Sequence, residues 1–189
     1  MPDDAIAKTM KESDRRMLDA IDATKREFAM IRTGRANPAI LDRVRVDYYD
    51  EMVPIKQVGT ISAPEPRLLM ISPWDKSMIK KIVGAITSSD LGLNPNSDGN
   101  VIRISLPQLT TERRKELARM VARKTEDGKV AVRNIRRDTV DKLRSMEKDG
   151  DISEDDLRRY QEQAQKITDA HIEQLDEVAE IKDREIMEG

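Results

Sequence analysis

Cysteine is absent from this 189-residue chain, and histidine occurs once, as His171. Disulfide frameworks, thiol nucleophiles, thiolate metal sites and His-cluster zinc sites are excluded together. Aromatic residues make up only 3% of the chain. Phe28, Tyr48, Tyr49, Trp74 and Tyr160 are scattered and build no stacking platform for single-stranded nucleic acid. No apolar run approaches the length of a bilayer span, and Met1 to Arg16 mixes acids with bases and lacks the apolar core of a signal peptide. A soluble, cytoplasmic protein with no membrane partner is expected. No Gly-rich loop ending in Lys-Ser/Thr exists, so the chain itself is not expected to bind and split a nucleotide. Any mechanical work would need energy from a partner.

Charge and helical periodicity are abundant. Charged residues form 37% of the chain, with Lys+Arg at 34 and Asp+Glu at 36. Seven of the eight prolines fall between Pro38 and Pro107, and five of the eight glycines between Gly34 and Gly99. The flanks are therefore helix-permitting and the middle is not. In the first flank, Ile6, Met10, Met17, Ile21, Phe28 and Ile31 form one apolar stripe, which predicts a helix from about Asp4 to Ile31. From Thr111 to about Lys148, Leu117, Val121, Val132, Ile135, Leu143 and Met146 form another, with Thr110 or Thr111 as cap. Ser153 and Asp156 form a near capping box for a third helix, and Ile152 is placed to staple onto Leu157. Leu157, Tyr160, Ala164, Ile167, His171, Gln174, Val178 and Ile181 then alternate by three and four, a coiled-coil seam. Helices of about 28, 38 and 34 residues would measure roughly 42 to 57 Å, the size of an elongated three-helix bundle.

Between the flanks, Val44, Val46 and Tyr48 alternate with Arg43, Arg45 and Asp47 as a half-buried strand. Further strands fit Val58 to Ser62, Leu68 to Ile71 and Val101 to Leu106. Asp75 or Ser77 can cap a short helix whose apolar face is Met78, Ile79, Ile82, Val83 and Ile86. The fold class is thus α+β: an antiparallel bundle of residues 1–33 and 109–189 with an inserted β/α/β domain of residues 34–108. Gly34 and Pro107 mark a two-stranded hinge.

Net charge is zero for residues 1–34, +1 for 35–110, +5 for 111–149 and −8 for 150–189. Lys129, Arg133, Arg136 or Arg137, and Arg144 recur at helical spacing on one face of the second long helix. Such a stripe suits phosphate, because the planar arginine fork grips it well. It suits equally a pairing with the acids of the last helix across the bundle. If the partner is nucleic acid, folded RNA recognised by shape and backbone fits best, since no helix-turn-helix or zinc-finger spacing is present. His171 sits on a core-facing seam with no serine nucleophile in register, so it reads as a structural residue rather than a base. Glu154, Asp155 and Asp156 occupy a helix's first turn, where the dipole favours them. The methionines read as core filler.

Five segments carry a family resemblance. They are Arg32-Thr33-Gly34-Arg35-Ala36-Asn37-Pro38, Ser89-Asp90-Leu91-Gly92-Leu93-Asn94-Pro95-Asn96, Leu109-Thr110-Thr111-Glu112-Arg113-Arg114-Lys115, Val130-Ala131-Val132-Arg133-Asn134-Ile135-Arg136-Arg137-Asp138 and Ile152-Ser153-Glu154-Asp155-Asp156. In this order and at these spacings, over nearly the whole chain, the sequence resembles the bacterial ribosome recycling factor family. The resemblance implies a three-helix bundle and a β/α/β domain set at an angle, with an outline like that of transfer RNA. It implies a non-enzyme that enters the post-termination ribosome and, with elongation factor G and GTP, splits the subunits so that messenger and deacylated transfer RNA leave.

By the same resemblance, Arg133 and Arg136 are expected to contact large-subunit ribosomal RNA. Arg137 and Lys129 join them from the stripe, Arg32, Gly34 and Arg35 match the hinge motif, and Arg114 matches the basic start of the long helix. The partners expected are the ribosome and the GTPase, with a monomeric protein, no cofactor, no metal and no small-molecule substrate. Two features depart from the family pattern. Asp50-Glu51 follows Tyr48-Tyr49 where a glycine-led turn is usual, and Gly128 stands where a better helix former is expected. The alternatives are a coiled-coil scaffold that binds only protein, its basic stripe saturated by the acidic last helix, and an RNA-modifying enzyme, for which no cofactor fingerprint is present.

Overall fold

The computed structural model describes residues 2–188. In chain order it contains helix α1 (Pro2–Ala29), strands β1 (Arg45–Tyr48), β2 (Glu51–Pro54), β3 (Gly59–Glu65) and β4 (Leu68–Pro73), helix α2 (Ile79–Ser88), strands β5 (Pro95–Ser97) and β6 (Ile102–Ser105), and helices α3 (Thr111–Lys148) and α4 (Glu154–Glu188). Two compact units result. One joins the chain up to Ile31 with Arg114–Arg184; the other is Arg32–Arg113 with the chain end from Glu185. The second unit thus begins two residues before the boundary expected at 34 and runs on to Arg113.

Along the three long helices, burial follows a spacing of eleven residues: Ile6, Met17 and Phe28 on α1, Val121, Val132 and Leu143 on α3, and Ala164, Leu175 and Ile186 on α4. Eleven residues over three turns lie close to the natural period of a straight helix, so each stripe stays on one side along its length. The coiled-coil seam expected for α4 is corrected here. Gln174 and Ile181 are exposed, and Thr168 and Leu175 take the buried places. A strict three-four alternation drifts by about 20° per heptad on a straight helix, which carries its far end out of the core.

Met17, Ile21, Val132, Ile135 and Leu175 pack as one cluster. Ile6, Leu143 and Ile152 form another, with Leu157 and Tyr160 packed against it. Buried hydroxyls interleave with these layers, each satisfied locally. Thr24, Thr125, Thr139 and Thr168 donate to the carbonyls four residues back, which leaves Thr139 Oγ1 to accept from the Ser13 hydroxyl 2.8 Å away. The α4 capping box is formed: Asp156 N–H donates to Ser153 Oγ at 3.0 Å, and Ser153 N–H reaches the Asp156 carboxylate at 3.4 Å. Thr110, not Thr111, caps α3 by accepting from Arg113 N–H.

The second unit carries more strands than the expected β/α/β arrangement. β1 and β2 form a two-stranded hairpin, and a four-stranded antiparallel sheet runs β3-β4-β6-β5. β2 and β5 escape detection in the sequence because each contains proline, which a strand tolerates only at a sheet edge. The core includes Val44, Val46, Leu69, Ile71, Ile82, Ile86, Ile102 and Ile104. Tyr48 faces outward, against the expected alternation. The turn after it keeps its geometry without glycine, since Tyr49 and Asp50 adopt φ of 50° and 63°, the positive pair that a two-residue hairpin demands.

Both chain connections of this unit are tied to one turn. Ala36 N–H donates to Pro66 O at 2.6 Å, and Leu106 N–H to Arg67 O at 2.8 Å. Beside them Gly34, with φ of +74°, lies against Leu109, whose Cγ would be 3.1 Å from a Cβ at this position. Pro107 is exposed.

Candidate nucleic-acid interface

α3 is continuous from Thr111 to Lys148, so its basic residues keep helical register along its length. Their ion pairs separate two sides. Toward α1, Lys124 pairs with Glu27 at 2.8 Å, Asp138 with Arg16 at 3.0 Å and Lys142 with Glu12 at 3.8 Å. Toward α4, Lys129 pairs with Asp176 at 2.6 Å, its side chain only 19% exposed. This lysine is committed to holding the helices together.

The remaining bases of the stripe are placed differently. Arg133 Nη1 lies 3.1 Å from Glu126 Oε1, two turns back on its own helix, and Arg144 sits 3.7 Å from Asp141, also on α3. Arg136 donates to the neutral side chain of Gln165 on α4 at 2.7 Å. Arg137 is exposed and forms no ion pair among the described residues. Among the described residues Lys129 alone, of the stripe, is neutralised by the acidic last helix. Exposed pairs such as Arg133–Glu126 are worth little and exchange readily for a stronger anion.

Arg136, Arg137 and Arg144 come together with Val140, Asp141, Gln161 and Gln165 around a groove of about 430 Å³ between α3 and α4. Three guanidinium groups against one carboxylate make it a cationic recess on a stiff support, suited to phosphate. Gln161 and Gln165 carry no signal in the sequence, because a neutral amide on a charged helix matches no motif. A wider groove of about 590 Å³ between β1 and α2 is lined by Arg43, Arg45 and Lys81 but also by Asp47 and Asp90. Its charges nearly balance.

The other expected contacts are not part of this group. Arg114 is half-buried and shares its register with Leu117, Val121 and Thr125, the core side of α3. About 19 residues, or roughly 28 Å of helix, separate it from Arg133. Arg32 and Arg35 are exposed on either side of Thr33 and Gly34, with no partner among the described residues.

His171 is buried. Its Nε2 donates to the Asp14 carboxylate at 2.7 Å, and its Nδ1 lies 3.0 Å from the side-chain amide of Gln174. This pins α4 to α1. Asp156 is used by the helix cap, whose Ser153 hydrogen bonds hold its carboxyl below the usual range. Among the described residues no group of acids and histidine is arranged to hold a metal ion, and no described helix is long and apolar enough to cross a membrane.

Residues 24–187 match the family described as ribosome recycling factor. The chain is 54% identical to the ribosome-recycling factor of Halalkalibacterium halodurans over 95% of its own length and 97% of the relative's. It is 52% identical to that of Clostridioides difficile over 94% and 96%. Its fold is similar to the solution structure of a ribosome recycling factor, with a TM-score of 0.69 and 41% identity over 97% of this chain and 98% of that one. It is also similar to a chain from models of the T. thermophilus ribosome recycling factor and the E. coli elongation factor G bound to the E. coli post-termination complex. There the TM-score is 0.62 and the identity 43%, over 96% of this chain and 98% of that one.

Proposed function

The chain belongs to the ribosome recycling factor family, and from that membership we propose that it binds the post-termination ribosome and, with elongation factor G and GTP, separates the subunits. Messenger and deacylated transfer RNA then leave. The observation that carries the RNA side of this function is the basic face of α3, where Arg133, Arg136, Arg137 and Arg144 stand with their charge largely uncancelled by α4. Large-subunit ribosomal RNA is the partner of this face. A helix 38 residues long presents these cations at fixed spacing, so backbone phosphates are met without reordering cost.

The protein is not an enzyme: GTP hydrolysis belongs to the partner. Its contribution is position. Arg32 and Arg35 add phosphate contacts beside the hinge at Gly34 and Pro107, through which the push of the GTPase moves one unit against the other. Lys129 serves the bundle rather than the RNA. The protein works as a monomer in the cytoplasm, where its substrate complex is.

Co-sedimentation with ribosomes across a range of salt concentrations tests this. Binding should fall steeply as salt rises, with a logarithmic slope near three if about three phosphates are neutralised. Absence of binding at low salt, with the protein folded, would favour a scaffold that binds protein alone.

A further inference from the structure

Gln165 joins two charged groups. Its Oε1 accepts from Arg136 Nη1 at 2.7 Å, and its Nε2 donates to Asp169 Oδ1 at 2.8 Å. The orientation of the amide follows from its neighbours, because a guanidinium can only donate and a carboxylate can only accept. Asp169 therefore orients Gln165, and Gln165 orients Arg136. Gln165 and Arg136 line the groove between α3 and α4, whose rim also carries Arg137 and Arg144.

The chemistry of residue 165 matters because of what an acid would do there. α4 is the acidic helix of this protein, yet between Asp156 and Asp169 its only acid is Glu162. Where α4 faces the arginines, it presents Gln161 and Gln165 instead. A glutamate at 165 would accept the same hydrogen bond but cancel the guanidinium charge, as Asp176 cancels that of Lys129. An apolar residue would leave the charge but release the side chain, whose rotamer freedom must then be lost again on binding. The glutamine amide holds the arginine and leaves its charge intact.

We propose that Gln165 is a positioning residue for ribosomal RNA: anchored by Asp169, it fixes the Arg136 guanidinium at the α3–α4 groove in a phosphate-binding orientation without neutralising it. The inference rests on the ribosome-binding function above. It adds a residue that acts through Arg136, and it makes the neutrality of α4 at this point a requirement for RNA affinity.

The test is ribosome affinity as a function of salt for the full-length protein and for Gln165→Leu, Gln165→Glu, Arg136→Ala and Arg136→Ala/Gln165→Leu, with thermal unfolding of each. Gln165→Leu should weaken binding about three- to tenfold, in the range of couplings between residues in direct contact, while keeping the wild-type salt slope. Gln165→Glu should lower that slope by about one, because one phosphate contact is lost to an internal ion pair. In the double variant, Gln165→Leu should add nothing to the loss caused by Arg136→Ala. A merely structural glutamine would shift the melting temperature and leave the slope and this coupling unchanged. Equal losses from Gln165→Leu with and without Arg136, or an unchanged slope for Gln165→Glu, would overturn the assignment. If Arg136→Ala itself binds like the wild type, the RNA contact at Arg136 and the role of Gln165 fall together. If only the Gln165 variants behave like the wild type, the contact stands and the positioning role alone is lost.

Discussion

Gly128 and Thr24 approach so closely that a Cβ on the glycine would lie 2.6 Å from the threonine Oγ1, with Leu175 Cδ2 at 3.2 Å. All three helices of the bundle meet at this residue. Gly128 is therefore a packing requirement, although helix propensity alone favours alanine by about 1 kcal/mol. Gly128→Ala should destabilise the protein, because overpacking costs about 1 to 3 kcal/mol and exceeds the propensity gain. Adding Thr24→Ala should restore part of the loss. Urea unfolding followed by circular dichroism decides this, and a stabilised Gly128→Ala would contradict the contact.

The capping box at the start of α4 gives a prediction with a sign in pH. Hydrogen bonds from Ser153 hold the Asp156 carboxyl below its ordinary value. A depressed folded value means that the contribution is complete above the unfolded carboxylate range, near pH 4, and is lost as pH falls through the folded value. Asp156→Asn should therefore be less stable than the wild type at pH 7, and the two should converge in strong acid. Ser153→Ala should cost about 1 kcal/mol at neutral pH. A pH-independent difference for Asp156→Asn would remove the carboxylate from the cap.

How much of this was legible in the sequence depended on whether the signal was periodic. Proline and glycine crowding between Pro38 and Pro107 marked the insertion, and the stripes through Met17 and Val132 marked the helices, because burial on a helix repeats at a fixed angle. The far end of α4 misled: Gln174 and Leu175 are neighbours, and only the eleven-residue repeat from Ala164 through Leu175 to Ile186 separates buried from exposed. Strands of three and four residues containing Pro54 or Pro95 left no periodic trace. At the candidate interface, helical spacing pointed to Lys129, Arg133, Arg136 or Arg137, and Arg144. It could not show that Lys129 is spent on Asp176, that Arg114 turns to the core side, or that two glutamines complete the groove, since each depends on which residues of another helix lie opposite.

At the proposed hinge, Gly34 has φ of +74° with Leu109 Cγ 3.1 Å from where a Cβ would be. Proline is therefore the wrong probe of stiffness here, as its ring demands a negative φ. Gly34→Ala carries the left-handed penalty of about 1 to 2 kcal/mol and a contact that Leu109 must yield to. The variant is expected to lower subunit splitting more than ribosome binding, measured side by side at a temperature where circular dichroism shows it folded. Equal losses in both would argue against a hinge at this position.

Lys129 and Arg136 lie seven residues apart on one face of α3, and they should differ in function. Arg136→Ala is expected to weaken ribosome binding by about 1 to 3 kcal/mol through loss of charge-assisted contacts, with unfolding little changed. Lys129→Met, which removes a lysine already paired with Asp176, should leave affinity within about twofold. Ribosome pelleting with both variants at one salt concentration checks the contrast. A larger binding loss for Lys129→Met than for Arg136→Ala would reverse the assignment of the two residues.

The most direct measurement is light scattering of purified post-termination ribosomes mixed with this protein, elongation factor G and GTP, each component left out in turn. The account predicts a fall in scattering, as subunits separate, only when all are present, and a slower fall with Arg136→Ala. Splitting without the GTPase or without GTP, or no splitting by a folded protein that is bound to the ribosome, would contradict it.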